Sequence, residues 1–276
     1  MRTVTEILIK RTGAQMLEQV IDIVREAGRL FEDKNFEVQS KGSASNNVTS
    51  VDLAVEAFLK ERLTALIEDC GFIGEESEGS DYERPYLWIV DPIDGTANFI
   101  RDMGLSAVSV GLVHGGEVIL GVVYNPVRDE MFYAEKGKGA FLNGQPIRVS
   151  DRDVEHSIFC TAMSLYNKSL AKPCFNIIEK VYERCDDIRR LGTAALELVY
   201  LACGRSELYF EMRVFPWDFA GAEIIIREAG GYIGTIGYER TVFNRPIPLI
   251  CANTKENFDY LKKIVLDEIP VIPYSE

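Results

Sequence analysis

In Trp88-Ile89-Val90-Asp91-Pro92-Ile93-Asp94-Gly95-Thr96 an apolar run ends in two carboxylates three residues apart, followed by a glycine and a hydroxyl. The apolar part reads as a buried strand. That puts Asp91 near its carboxyl end, the edge at which open α/β sheets place their ligands. Pro92 fixes one backbone angle and Asp94-Gly95 relaxes the next, so the chain is expected to leave the strand there and fold back in a loop. Both carboxylates would then face one spot, suited to a divalent cation.

Two further acids stand after apolar or aromatic residues: Glu75 in Gly74-Glu75-Glu76-Ser77, after Phe72-Ile73, and Asp218 in Trp217-Asp218 at a predicted helix start. Any one of the four alone reads as a helix cap or a solvated loop charge. Together they would repel one another, and a bound metal is the usual remedy. An all-oxygen donor set suits Mg²⁺ or Mn²⁺ rather than Zn²⁺. Asp52 follows Val48-Thr49-Ser50 just inside a predicted helix, where cap chemistry is a sufficient reason for an acid. Glu211, in Tyr209-Phe210-Glu211-Met212 at a strand end, has two readings: an acceptor for sugar hydroxyls or a surface charge.

Other chemistries are poorly supplied. Of the two histidines, His114 lies in the turn-like His114-Gly115-Gly116, so neither a His-rich zinc site nor a Ser-His-Asp triad is expected. Neither a GxSxG elbow nor a GxxxxGK[ST] loop occurs. Catalysis falls to carboxylates and hydroxyls.

The elements that must position these groups are legible in part. At 276 residues and 47% hydrophobic, the chain can bury a core that excludes water from a site. A net charge of −13 disfavours nucleic acid and anionic membranes, and implies that any bound phosphate is met through metal. The six cysteines show no CxxC pairing and read as reduced packing thiols of a cytoplasmic protein. No signal-peptide core opens the chain, and no apolar stretch reaches the ~20 residues of a membrane span. Helical periodicity covers 14–31 and 51–67, with the polar Lys41 to Asn47 stretch expected as a loop between them. Strands are expected at 107–113, 117–124, 131–134 and 139–142, as an antiparallel meander. Beyond a seam near 150 follow a strand at 157–162, helices at 173–185 and 193–203, a strand at 207–211, a helix at 218–229, a strand at 248–252 and a helix at 255–267. The fold class is α/β, in two parts: 1–150 carries the meander and most acids, 151–276 carries Asp218.

The chain resembles the inositol monophosphatase family of Mg²⁺-dependent, lithium-sensitive sugar and polyol phosphatases. The first family signature is matched by Trp88 to Phe99 and the second by Trp217-Asp218-Phe219-Ala220-Gly221-Ala222, with Gly230-Gly231 downstream. Lys41 to Asp52, Gly74 to Ser77 and Gly192-Thr193-Ala194-Ala195 fall in the family's order. The resemblance implies a layered αβαβα sandwich, a homodimer, and two or three Mg²⁺ ions per site. Glu75, Asp91 and the Ile93 carbonyl would hold the first ion, Asp91, Asp94 and Asp218 the second, and Glu75 would assist a weaker third. Asp52 and Thr96 would activate the attacking water, and Gly95 and Thr96 N–H groups would meet the phosphate. Asp94, Ala194, Glu211 and Asp218 would contact the substrate.

The implied reaction is hydrolysis of a small phosphate ester, myo-inositol 1-phosphate first, by metal-activated water. Fructose 1,6-bisphosphate and histidinol phosphate are the alternatives within the family. Asn46-Asn47 stands where many relatives carry an acid, which is expected to tune metal affinity. The loop from Ala162 to Tyr166 does not match the family's substrate-contacting hydroxyl loop. The competing class is a non-catalytic scaffold that keeps the fold and binds a partner.

Overall fold

The computed structural model describes residues 4–33, 35–43, 46–77, 82–163 and 168–269, so the 162–166 loop beyond Met163 lies outside the described residues. The first half runs α1 (Val4–Gly28), β1 (Val38–Ser43), β2 (Asn46–Thr49), α2 (Ser50–Thr64), β3 (Gly71–Gly74), β4 (Tyr86–Asp94), α3 (Thr96–Ile100), β5 (Ala107–His114), β6 (Glu117–Asn125), β7 (Glu130–Glu135), β8 (Ala140–Leu142) and β9 (Gln145–Ile147). The second runs β10 (Ile158–Ala162), α4 (Ala171–Tyr182), β11 (Asp187–Arg189), α5 (Ala194–Ala202), β12 (Leu208–Val214), α6 (Pro216–Glu228), β13 (Tyr232–Thr235), β14 (Ile247–Ala252) and α7 (Lys255–Glu268).

Seven strands form one sheet in the order β3-β4-β5-β6-β7-β8-β9, and five form another in the order β11-β10-β12-β14-β13. Alternation along β5 shows how the first sheet acquires two apolar faces. Val108, Val110 and Leu112 join a core with Val20 and Val24 of α1 and Val55 and Leu59 of α2. Ala107 and Val113 point the other way, into a core with Leu196 and Val199 of α5 and Phe219 and Ile225 of α6. On the far side of the second sheet, Ile177 of α4 and Leu261 of α7 pack against Phe159, Phe210 and Ile250. The layers therefore run αβαβα. Each such buried aliphatic or aromatic side chain contributes about 1.5–3 kcal/mol.

The helix that carries Asp218 lies directly on the first sheet. A Cβ on Gly121 would sit 2.1 Å from the Gly221 carbonyl oxygen, and one on Gly221 would sit 2.7 Å from Ser109 Oγ. Glycine at both positions lets the α6 backbone touch β5 and β6, and this fixes the start of α6 beside β4.

Three expectations are corrected. Lys41 to Ser43 and Asn46-Asn47 are strand, not loop: β1 and β2 pair antiparallel, with Val38 opposite Thr49 and Ser40 opposite Asn47, and residues 44 and 45 lie outside the described residues. Residues from Glu37 to Ser40 are exposed, so no apolar alternation marks the first of these strands. The chain also does not leave β4 for a loop at Asp91. The strand continues through Pro92 to Asp94, with a register shift against β5 between Asp91 and Asp94. Pro92 has no N–H to give the ladder, so the strand bulges there and resumes. Last, β9, β11 and β13 are three or four residues long and carry too little periodicity to be read from sequence.

Candidate active site

The bulge in β4 is where the site begins. Asp91 is 1% exposed, and its Oδ1 accepts the Ile93 N–H at 3.0 Å, which ties the carboxylate to the bulge that redirects it. Gly95 follows in the left-handed region (φ 86°, ψ 39°) and caps α3. A Cβ there would be strained by φ and would lie 2.9 Å from the Leu105 carbonyl oxygen. Asp94 reaches the start of α5, where its Oδ2 accepts the Ala195 N–H at 2.7 Å and the Thr193 hydroxyl. Asp218 is the third residue of α6, and its Oδ2 accepts the Phe215 N–H at 2.8 Å. One carboxylate oxygen from each of Asp91, Asp94 and Asp218 lies within 4.8 Å of the others.

Close approach out of water disfavours the charged forms. Burial, then Glu75, Asp94 and Asp218, raises Asp91 well above the ordinary carboxylate range. Asp218 is likewise raised well above that range by burial and by Asp94 and Glu75. Asp94 is pushed up to about 6 by burial, held back by its bonds from Thr193 and Ala195.

Glu75 stands apart from this trio. Burial pushes it up to about 7 against the opposing pull of Lys41, whose Nζ lies 3.2 Å from Glu75 Oε1 and also contacts Glu76. Glu56 of α2 holds the segment in place by accepting the Glu76 N–H at 2.8 Å.

Asp52 has two jobs in one carboxylate. Its Oδ2 accepts the Thr49 N–H at 2.7 Å, completing a capping box for α2, while its Oδ1 lies 3.3 Å from Thr96 Oγ1. Thr96 Oγ1 is also 3.0 Å from the Ile93 carbonyl oxygen, so its single proton serves one acceptor at a time. Asp52 is fully buried, and burial raises its carboxyl above the usual range.

Glu75, Asp91, Ile93, Asp94, Gly95, Thr96, Ala194, Glu211 and Asp218 all line one cleft of about 840 Å³; Asp52 lies behind Thr96. Tyr209 donates to Glu211 Oε2 at 2.8 Å, while burial pushes Glu211 up to about 7. Asn47 also lines the cleft, from β2 rather than from a turn. Sequence reasoning missed Arg190, Glu197 and Arg213 on its walls. The signals were present: Glu197 is the one acid in the apolar α5, and Arg213 the one cation in β12. Glu197 is fully buried, and burial pushes it up to about 8 despite the bond from Leu191 N–H.

A model of the inositol monophosphatase family matches residues 6–269 of this chain. The chain belongs to the inositol monophosphatase family. It is 40% identical over 227 residues to the Nus factor SuhB of Escherichia coli K12, a match spanning 79% of this chain and 84% of that protein. Among solved structures, it resembles the suhB extragenic suppressor protein of Bartonella henselae with a TM-score of 0.84 and 32% identity, over 92% of this chain and all of the other. It resembles the Thermotoga maritima IMPase with a TM-score of 0.80 and 32% identity, over 93% and 98% of the two chains.

The family's dependence on divalent metal fits these residues. The donors are carboxylates alone, they converge within 4.8 Å, and their proximity disfavours the charges that a dication would restore. Burial of these acids, reinforced by repulsion at Glu75, Glu197 and Glu211, sets a pH dependence. Glu75, Asp94, Glu197 and Glu211 all have folded values above their ordinary ones, so the folded state holds extra protons and loses stability as pH rises from about 4 to about 8. In EDTA the melting temperature is expected to fall between pH 5 and pH 8, and Mg²⁺ to restore more of it at pH 8 than at pH 5. A metal-free melting temperature that is flat or rises across this window would contradict the assignment.

Proposed function

We propose that this protein is a Mg²⁺-dependent phosphomonoesterase that hydrolyses a small polyol or sugar phosphate, with myo-inositol 1-phosphate as the leading substrate. Fructose 1,6-bisphosphate and histidinol phosphate are the alternatives. The observation that carries the reading is the convergence of Asp91, Asp94 and Asp218 in the same cleft as Thr96, which is backed by Asp52.

In this reading Glu75, Asp91 and the Ile93 carbonyl hold one ion, Asp91, Asp94 and Asp218 a second, and Glu75 assists a third. Bound there, the ions supply charge neutralisation to the phosphoryl oxygens and acidify water. Asp52 accepts a proton relayed through the Thr96 hydroxyl from the attacking water, a task for which a raised carboxyl value is favourable. The water oxygen forms a bond to phosphorus in line as the ester oxygen leaves; the departing alkoxide takes up a proton from solvent, and Asp52 returns its proton to solvent. Gly95 and Thr96 N–H groups orient the phosphate. Ala194 and Glu211, with Asp94 and Asp218, position the hydroxyl-bearing part of the substrate.

The reading includes the lithium sensitivity and homodimer of the resemblance, and a cytoplasmic setting, supported by six free cysteines. Among the described residues no helix is long and apolar enough to cross a membrane. The division near residue 150 is also proposed, supported by the end of the seven-stranded sheet at Ile147 and the start of the other at Ile158.

A second reading, a partner-binding protein without turnover, is favoured by the name Nus factor carried by a 40% identical relative. Phosphate release from the three candidate esters, measured with Mg²⁺ and with EDTA, separates the two. Metal-dependent release concentrated on one ester is expected. No release from any of them would favour the partner-binding reading.

A further inference from the structure

The cleft carries two cations that the phosphatase reading leaves without a role. Arg213 lies on β12, two residues beyond Glu211, and both line the cleft. Between Glu211 and Val214 the register against β14 shifts: Glu211 faces Leu249 and Val214 faces Ile247, so Met212 and Arg213 together oppose Pro248. Pro248 has no N–H for the ladder, and across this bulge Glu211 and Arg213 stay partly exposed while Met212 and Val214 are buried.

The Arg213 side chain is also held. Its guanidinium lies 5.3 Å from the centroid of the Phe215 ring, and Phe215 stacks on Trp217 at 4.9 Å with an interplanar angle of 8°. A guanidinium on an aromatic plate loses little further freedom when it binds an anion, and its planar fork matches phosphate or carboxylate oxygens. The plate belongs to the segment that places Asp218, because Phe215 donates its N–H to that carboxylate. Arg213 is thus anchored relative to the acidic trio.

Arg190 adds a second positive charge to the same cleft. It is exposed at the cleft mouth, and its field opposes the effect of burial on Glu211. Among the described residues, no hydrogen bond joins Glu211 to either arginine; it accepts one from Tyr209. The cleft therefore holds the convergent acidic trio and, in addition, two guanidiniums.

We propose that Arg213, assisted by Arg190, forms a second-anion subsite, and that the preferred substrate is a phosphomonoester bearing a second anionic group on the same small molecule. The proposal rests on the phosphatase reading and, within it, moves the preference from myo-inositol 1-phosphate to esters such as the fructose 1,6-bisphosphate alternative. A molecule with one ester phosphate and otherwise only hydroxyls offers the guanidiniums no anionic group; a bisphosphate does.

The test compares fructose 1,6-bisphosphate, 3-phosphoglycerate and fructose 1-phosphate as substrates of the full chain with Mg²⁺, for the wild type and for Arg213→Met, Arg213→Lys and Arg190→Met. Arg213→Met is expected to raise KM for a dianionic-ended substrate at least tenfold more than KM for fructose 1-phosphate. Arg213→Lys, which keeps the charge without the fork, is expected to raise it less, and Arg190→Met is expected to shift the same ratio in the same direction. A shift confined to the bisphosphate identifies the second anion as phosphate; one confined to 3-phosphoglycerate identifies it as carboxylate. Equal changes on all three esters, or none, overturn the subsite while leaving the phosphatase reading intact. Turnover by the wild type of none of these esters, nor of myo-inositol 1-phosphate, overturns the phosphatase reading instead. The same compounds are then titrated calorimetrically in EDTA, so that they are not hydrolysed: tighter binding of fructose 1,6-bisphosphate than of fructose 1-phosphate that vanishes in Arg213→Met and is weakened in Arg213→Lys supports the subsite, and equal binding overturns it.

Discussion

Replacing Asp91 by Asn is expected to lower phosphate release by at least ~10³-fold, the scale on which loss of an electrostatic contributor to a transition state is felt. Asp91 is the acid that the other ligands surround: its carboxyl is raised by Glu75, Asp94 and Asp218. Asn keeps the shape and the acceptor for the Ile93 N–H, which Asp91 holds at 3.0 Å. The change therefore removes charge without removing the bond that shapes the bulge. Stability separates this role from a structural one. Wild type is expected to gain several degrees of melting temperature from millimolar Mg²⁺, because a ligand that binds only the folded state stabilises it by mass action. Asp91→Asn is expected to lose that gain, yet in EDTA at pH 8 to melt at or above wild type, since one of the mutually repelling charges is gone. Undiminished turnover in the variant, or a Mg²⁺ response equal to wild type, would sink the assignment.

Asp52→Asn is expected to lower kcat by about 10²–10⁴-fold while leaving KM within a few-fold, the range for removing a positioned general base. The confounding role is the capping box, since the same carboxylate accepts the Thr49 N–H at 2.7 Å. Loss of a cap costs about 0.5–2 kcal/mol of stability. Thr49→Ala removes the hydroxyl that accepts the Val51 and Asp52 N–H groups and donates to Asp52 Oδ2, and leaves Asp52 Oδ1 facing Thr96 and the Thr49 N–H still on Oδ2. It is therefore expected to lower the melting temperature by an amount similar to Asp52→Asn and to keep kcat within about tenfold. If both variants lose kcat equally, Asp52 acts through the helix and the water-activating role fails.

Much of the candidate site was legible in the sequence because its chemistry is local. Asp91, Asp94 and Gly95 lie within five residues, where the turn chemistry of an Asp-Gly pair and the missing N–H of Pro92 act on immediate neighbours. Thr193-Ala194-Ala195 and Trp217-Asp218 are helix starts, and such starts are set by nearby residues. The long helices and the strands β5 and β6 were also readable, since their apolar periodicity extends over many residues. The β1-β2 hairpin was not, because its residues are largely polar and exposed and only cross-strand pairing defines it.

The sequence by itself determined which residue types were available for chemistry: carboxylates and hydroxyls, with two histidines and no cysteine pair to compete. Tertiary structure alone decided which acids meet. Asp91 and Asp218 are 127 positions apart in the chain, yet α6 brings them within 4.8 Å by lying on the sheet at Gly121 and Gly221, while Glu75 is drawn toward Lys41. Tertiary structure also decided that Glu197 and Arg213 face the cleft and not an apolar core. Both sit in segments whose own pattern reads as buried helix or strand. The direction a side chain takes from such a segment is fixed by what packs on each face, which is set by residues distant in the chain.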